Sequence, residues 1–388
     1  MVRFLTAFTF EIDDPQLAAQ EILEQLDTKH SLLKNSAGLL FCSLDFVSSG
    51  TAGEVSKALP FDVIGCTTHG IAAPGMIGEN TLALLVLTSD NAVFKTGVSD
   101  SLDVDGEGRI RDLYRRLSGS SESPPSLMLV CHSNPEYLSG DIVADIFSGV
   151  SGGIPLFGTN ALDETFENRT PLIIYNGTSY PDRLALLLVY GVESRFNIKS
   201  LPTLNLYTKP AFVTEVQGNR LISINDMPAV EFMEKLGIIS GNKVNAIYGF
   251  PLLIDNHDGT GPKSCAIHSI EAGGVLRCGS FIVKGAALQL VNQMREEVLR
   301  NSEELINLIK KEEDTTSHLI FSCFGRSVPL VDLKEEMELF QKHMEGRSFM
   351  FVYSGGEFCP ARDEQGEIRN SFHQFCIISV SIRDGGYG

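Results

Sequence analysis

Polar side chains capable of chemistry recur at one kind of place in this chain: directly after a short apolar run. Cys66-Thr67-Thr68-His69 follows FDVIG, Cys131-His132-Ser133-Asn134 follows SLMLV, and Thr159-Asn160 follows GIPLFG. Cys323-Phe324-Gly325-Arg326 follows HLIFS, and Tyr353 to Glu357 follows SFMFV. In open α/β sheets, ligands sit beyond strand ends, where backbone amides and short polar side chains converge. Gathered on one rim, Cys66, Thr67, Thr68, His69, His132, Asn134, Thr159, Asn160, Arg326, Tyr353 and Glu357 would line a site for a small polar molecule. The plainer account is ordinary strand-to-loop turns, in which Ser, Thr, Asn and Gly are expected anyway.

Arg326 is the sharpest of these residues. Its guanidinium could hold a ligand carboxylate through two parallel hydrogen bonds. The alternative is a structural ion pair, for instance with Glu357, because arginine is seldom buried unpaired. Cys66 with His69, and Cys131 with His132, raise a thiolate–imidazole nucleophile. Adjacent strand residues point to opposite faces, so Cys131 and His132 are poorly placed to pair with each other. Small buried thiols ending strands explain the same residues.

Metal chemistry has little support. The histidines at 69, 132, 257, 268 and 373 form no i, i+4 pair and no HExxH. Ser101 to Gly106 resembles a calcium loop, with Asp112 at the closing position, but it follows a strand, so a solvated turn is expected. Gly149-Val150-Ser151-Gly152-Gly153 matches GxSxG, yet a helix precedes it and a strand follows, the reverse of a nucleophile elbow. There is no P-loop and no GxGxxG after a strand. No cofactor is expected.

The elements that must position these residues show an internal repeat. The segments 38–88, 126–190 and 318–382 share one layout: an apolar strand, a helix, a second strand ending in a small-residue turn, and a third apolar strand. Near-continuous Leu, Val, Ile and Phe imply strands covered on both faces. Two third strands read as continuing into hairpins, LALLVLT-SDN-AVFKTGV and LALLLVYG-VES-RFNIKSL. Helices are expected at 14–26, 107–117, 138–150, 227–236, 288–309 and 331–344. Between 211 and 283 the pattern changes to alternating hairpins, FVTEVQ-GNR-LISIN and SCAIHSI-EAGG-VLRCG. The expected fold is α/β, with mixed sheets from a repeated strand-helix-strand-strand unit. Helices should lie on the outer faces, with two sheets packed face to face, in two domains at 1–198 and 199–388.

The 388 residues are enough for two or three domains and a sizeable core. Acidic residues exceed basic ones, 49 to 31, for a net charge of −18. That balance argues against nucleic acid and against an anionic membrane as partners. No apolar run of about 18 residues occurs, and the acidic turn at Glu11 does not fit a signal peptide. Eight cysteines, none in a CxxC pair, read as reduced thiols of a cytoplasmic protein.

The chain resembles the FIST sensory domain, in its FIST-N plus FIST-C form. The FIST-C part is the more specific: VTEVQGNRLISINDMPAVEFMEKLGI at 213–238, YGFPLLI at 248–254, GGVLRCGSFIVKGAALQL at 273–290, LIFSCFGR at 319–326, FVYSGGEFCP at 351–360 and NSFHQF at 370–375. VIGCTTHGI at 63–71 and PLFGTNALDE at 155–164 carry the FIST-N part. One departure is Gly355-Gly356 before Glu357, where the family carries a bulkier residue. The resemblance implies a signal-input module that binds a small polar ligand, amino acids being the suggested kind. In the family such modules are fused to kinase, cyclase or chemotaxis outputs, or accompany an F-box. This chain leaves no room for either, so a separate output protein is the expected partner. Two other readings remain: a protein-recruiting scaffold and a cysteine-dependent hydrolase.

Overall fold

Apolar runs without alternation must be covered on both faces, and the computed structural model shows what covers them. It describes residues 2–119, 121, 123–135, 137–162, 170–200, 206, 208–240, 243–244, 251–259, 261–312, 317–362 and 368–385. Motif residues 163–164 and 248–250 lie outside these.

The first unit runs β1 (Arg3–Thr9), α1 (Pro15–Leu26), β2 (Asn35–Cys42), α2 (Leu44–Ser48), α3 (Thr51–Ala58), β3 (Val63–Thr67), a short hairpin β4 (Ile71–Ala73) and β5 (Met76–Gly78), and β6 (Leu82–Ser89). The second runs β7 (Val93–Val98), α4 (Gly106–Ser118), β8 (Leu127–His132), α5 (Gly140–Ser151), β9 (Leu156–Asn160), the hairpin β10 (Ile173–Tyr175) and β11 (Thr178–Tyr180), and β12 (Leu184–Tyr190). The third begins with β13 (Val192–Ser200) and is then interrupted. The inserted segment holds β14 (Ala211–Gln217), β15 (Arg220–Ile224), β16 (Met227–Pro228), α6 (Ala229–Lys235), β17 (Ile239–Ser240), β18 (Lys243–Val244), β19 (Leu252–Asp255), β20 (Lys263–Cys265), β21 (Ile267–Glu271), β22 (Val275–Cys278) and β23 (Ala287–Leu290). The unit resumes with α7 (Arg295–Lys310), β24 (Ser317–Cys323), a 3-10 turn at Phe324–Ser327, α8 (Lys334–His343), β25 (Ser348–Ser354), the hairpin β26 (Glu357–Arg362) and β27 (Ile368–His373), and β28 (Cys376–Asp384).

Three six-stranded sheets have one strand order: β1-β6-β2-β3-β10-β11, β7-β12-β8-β9-β26-β27 and β13-β28-β24-β25-β4-β5. In each, the first two strands of the repeat are parallel and the third is antiparallel to the first. Every unit lends its hairpin to another unit's sheet. The first unit's hairpin extends the third sheet, the second's the first, and the third's the second. The fold therefore has a pseudo-threefold arrangement closed by strand exchange.

The inward faces of all three sheets share one core, with Leu39, Phe41 and Ile64 from the first, Leu129, Phe157 and Leu187 from the second, and Leu319, Phe321 and Met350 from the third. Helices cover the outer faces: α1 and α3 on the first sheet, α4 and α5 on the second, α7 and α8 on the third. The α/β class with outer helices is as expected. Three sheets around one core replace the expected two face to face. The two expected hairpins are also corrected. After β6 and β12 the chain leaves its sheet, because both flanks of each strand are occupied, and β7 and β13 pair with β12 and β28 instead. Residues 198 and 199 are neighbours within β13.

The expected helix at 288–309 starts at Arg295, because Ala287–Leu290 is a strand paired with β19 and β14. The hairpins β14–β15 and β21–β22 form as the alternation predicts. They belong to a fourth sheet with its own apolar core. That sheet docks on β27 and the residues after it through polar contacts and through Ala266 packed against Val298 and Phe375. The Ala266 N–H donates to Gln374 Oε1 (3.0 Å), and Lys263 Nζ donates to Ser371 Oγ (3.0 Å). Among the described residues no helix is long and apolar enough to cross a membrane.

Candidate functional site

At the C-terminal end of the parallel pair β8/β9, register places His132 beside Asn160. Close approach of these strands depends on Gly158. Its φ is +145°, and a Cβ there would lie 2.0 Å from the Val130 carbonyl oxygen. His132 Nδ1 and Asn160 Oδ1 are 3.0 Å apart, with both residues buried. Burial pushes the His132 imidazole down to about 4, against the smaller opposing effect of the Asn160 hydrogen bond, so the ring is neutral at pH 7.

Its second nitrogen Nε2, the Asn160 Nδ2 amide and the Ser133 hydroxyl are buried without a hydrogen-bond partner among the described residues. A neutral imidazole has one donor and one acceptor. Nδ1–H donates to Asn160, so Nε2 is left as an acceptor and Nδ2 as a donor. An orphan of this kind costs about 1–3 kcal/mol. The site is held from behind by backbone bonds. Ala161 N–H donates to the His132 carbonyl (2.8 Å), Gly355 N–H to the Asn160 carbonyl (3.0 Å), and Asn160 N–H to the Gly356 carbonyl (2.9 Å). Asn134, half-buried, leaves the strand in a left-handed conformation with φ 55°.

The other named residues lie in different layers and are already engaged. Thr67 Oγ1 accepts from Leu172 N–H (3.0 Å), and Thr68 Oγ1 donates to the Tyr353 carbonyl. Thr159 Oγ1 donates to the Asn160 carbonyl (2.8 Å), and Tyr353 donates its hydroxyl to the Leu333 carbonyl (3.3 Å). His69 is half-buried, edge-on to Phe324 at 5.3 Å. Burial lowers its pKa and the Glu79 carboxylate partly offsets this. Cys66 packs in the central core beside Cys131, and burial raises its thiol well above the usual range. Cys131 lies in the central core while His132 faces the Phe358 ring on the helix side, at 6.2 Å.

Arg326 is a correction. It is fully buried, and its Nη2 donates to Glu336 Oε1 (2.7 Å), Ser302 Oγ (2.9 Å) and the Val298 carbonyl (3.2 Å), while Nε donates to Ser322 Oγ (3.2 Å). Glu336 sits in the first turn of α8, where the helix dipole favours a carboxylate. The charge of Arg326 is thus spent on a structural pair, and the partner is Glu336 rather than Glu357. Glu357 lies buried at the core end, accepting from Ser354 Oγ and Cys376 Sγ (3.1 Å). Desolvation lifts it to about 8 despite those bonds and the nearby Arg326, so it is mostly protonated at neutral pH.

Hydrogen bonds tie the chain at the ends of β3 and β9 to the end of β25, and these bonds close much of that junction internally. His132, Ser133 and Asn160 keep polar atoms to spare, as does Arg326 at Nη1. Sequence reasoning missed Glu336, although it lies beside Met337 and Phe340 on the buried stripe of its helix.

The chain matches the FIST N domain over residues 36–227 and the FIST C domain over residues 229–360. It belongs to the FIST family. FIST domains are associated with sensory roles in signal transduction. The FIST N match runs from β2 through β16 and the FIST C match from α6 into β26, so the hairpin that closes the second FIST N sheet begins in FIST C. No curated protein matches the chain.

Proposed function

We propose that this FIST protein is a signal-input module of the cytoplasm. It holds a small polar ligand at the end of β8 and β9 and passes the event to a separate output protein. One observation carries the reading: His132 Nε2, Asn160 Nδ2 and Ser133 Oγ are buried and have no hydrogen-bond partner among the described residues. An orphaned acceptor on His132 and an orphaned donor on Asn160 suit polar groups of complementary character, such as those of an amide or a carboxylic acid. Amino-acid-like molecules carry such groups. Binding signals only through different affinities for two conformations. The bonds from Gly355 and Gly356 to Asn160 link the site to the third unit, and the β26–β27 hairpin links that unit to the inserted sheet.

Eight unbridged cysteines support the compartment, and the net charge of −18 supports the exclusion of nucleic acid. The raised thiol of Cys66 weakens the hydrolase reading, since the thiolate is the nucleophile.

A thermal-shift screen of polar metabolites tests the proposal. A ligand at 100 times its Kd should add about 2.7 kcal/mol of stability. The double variant His132→Leu/Asn160→Leu should lose that shift while its ligand-free form melts no lower than wild type, because an orphaned polar pair has been removed. A hit retained by the double variant would remove these residues from the site. The absence of any hit would favour the recruiting scaffold.

A further inference from the structure

A cavity lies between α5, the β26–β27 hairpin and the inserted sheet. Its volume is about 670 Å³, several times that of one free amino acid. Asp141 and Asp145, one helical turn apart on α5, stand along one wall. Lys263 comes from β20 and Arg369 from β27. Both strands are the terminal strands of their sheets, and such edges present backbone donors and acceptors to an added segment. Phe281 and Ile368, both substantially exposed, add apolar surface.

Among the described residues Asp145 and Lys263 keep charge that the fold does not fully use. Asp141 Oδ2 accepts from Phe281 N–H (2.8 Å), but no described residue hydrogen-bonds the exposed Asp145 carboxylate. Lys263 commits one of its three donors, to Ser371 (3.0 Å). Lys263 lies within electrostatic reach of both carboxylates, and Arg369 within reach of Asp145. The cavity therefore offers opposite charges on different walls and two sheet edges between them.

We propose that this cleft binds a short extended peptide with free termini, its ammonium against Asp145 and its carboxylate against Lys263 and Arg369. The backbone of the peptide would pair along the β20 or β27 edge, the mode by which strand addition gives affinity without side-chain selection. This site shares no residue with the His132–Asn160 site, so either can exist without the other.

Calorimetry on the full chain with trialanine, N-acetyl-trialanine and trialanine amide tests it. Trialanine should bind, and blocking either terminus should weaken binding about tenfold or more, the worth of a hydrogen bond to a charged group. Asp145→Asn should abolish the difference between trialanine and its N-acetyl form. Lys263→Met, or Arg369→Ala at the more exposed position, should reduce the difference between trialanine and its amide. The His132→Leu/Asn160→Leu double variant should bind trialanine as wild type does. Blocked peptides binding as tightly as the free one, or no trialanine heat at millimolar concentration from folded protein, would overturn the proposal.

Discussion

Arg326 and Glu336 show how a residue that looks like a ligand clamp can serve the fold instead. Both are fully buried, and their charges are satisfied by each other and by Ser302 and Ser322. Removing one partner leaves the other charged and unpaired in the interior, at a cost of about 3–5 kcal/mol. Glu336→Gln and Arg326→Met should each show that loss in urea denaturation. The double variant Arg326→Met/Glu336→Met should recover most of it, since a packed apolar pair tolerates burial better than a broken ionic one. A double variant no better than the singles would mean that shape rather than charge holds the site. Glu357 makes a different prediction. Its folded pKa is raised from 4.5 to about 8, so the folded state holds a proton there that the unfolded state releases. Its contribution is complete below about pH 4.5 and is lost as the pH rises towards 8. Wild-type stability should therefore fall across that window by up to about 1.4 kcal/mol per pH unit relative to Glu357→Gln. Parallel stability curves for the two proteins would mean that the carboxyl is charged in the fold. At this scale His132 and Asn160 were legible in the sequence, because polar residues closing apolar runs mark strand ends. The pairing of Arg326 was not, because Glu336 lies in a charged stretch, KEEMELF, that reads as helix surface.

Strands and helices were more readable than their partnerships. The repeat of apolar strand, helix, strand and strand was visible because each strand is buried on both faces and carries no alternating polar residues. Turn chemistry between β6 and β7, or between β12 and β13, looks the same whether the next strand folds back or crosses to another sheet. That choice depends on which edges are free, and β6 and β12 each have two neighbours already. Glycine placement does record one part of the packing. Gly65 and Gly158 occupy matching positions in β3 and β9, and a Cβ at either would sit 1.9 or 2.0 Å from the carbonyl oxygen of Leu40 or Val130 on the parallel neighbour. The close approach leaves no room for a side chain, so Gly65→Ala and Gly158→Ala should each destabilise by well over about 1 kcal/mol. Gly158→Ala should also weaken any ligand held by His132 and Asn160, since it separates the two strands that carry them. Melting curves and ligand titrations together check this. An alanine at 158 that changes neither would mean that the two strands can separate without cost.

For the whole molecule, strand exchange decides what can stand alone. Each of the three sheets contains strands from two units, so no unit completes its own sheet. A fragment ending at residue 198 would lack β24 and β25 beneath its β4–β5 hairpin, β26 beside β9, and β28 beside β13. It should fail to melt cooperatively and should expose the core face that Leu319, Phe321 and Met350 cover in the full chain. The inserted sheet is the opposite case. It has its own core and reaches the rest of the molecule through polar contacts such as Ala266 to Gln374 and Lys263 to Ser371 and through a small apolar cluster of Ala266 with Val298 and Phe375. Replacing residues 206–293 with a short flexible linker should leave the three-sheet body folded, with a cooperative transition and a smaller denaturant m-value in proportion to the surface removed. It should also abolish trialanine binding while sparing any ligand of the His132–Asn160 site. The two deletions thus separate the closed body, whose parts depend on one another, from an appendage that docks on it and that a ligand in the cleft could hold in place.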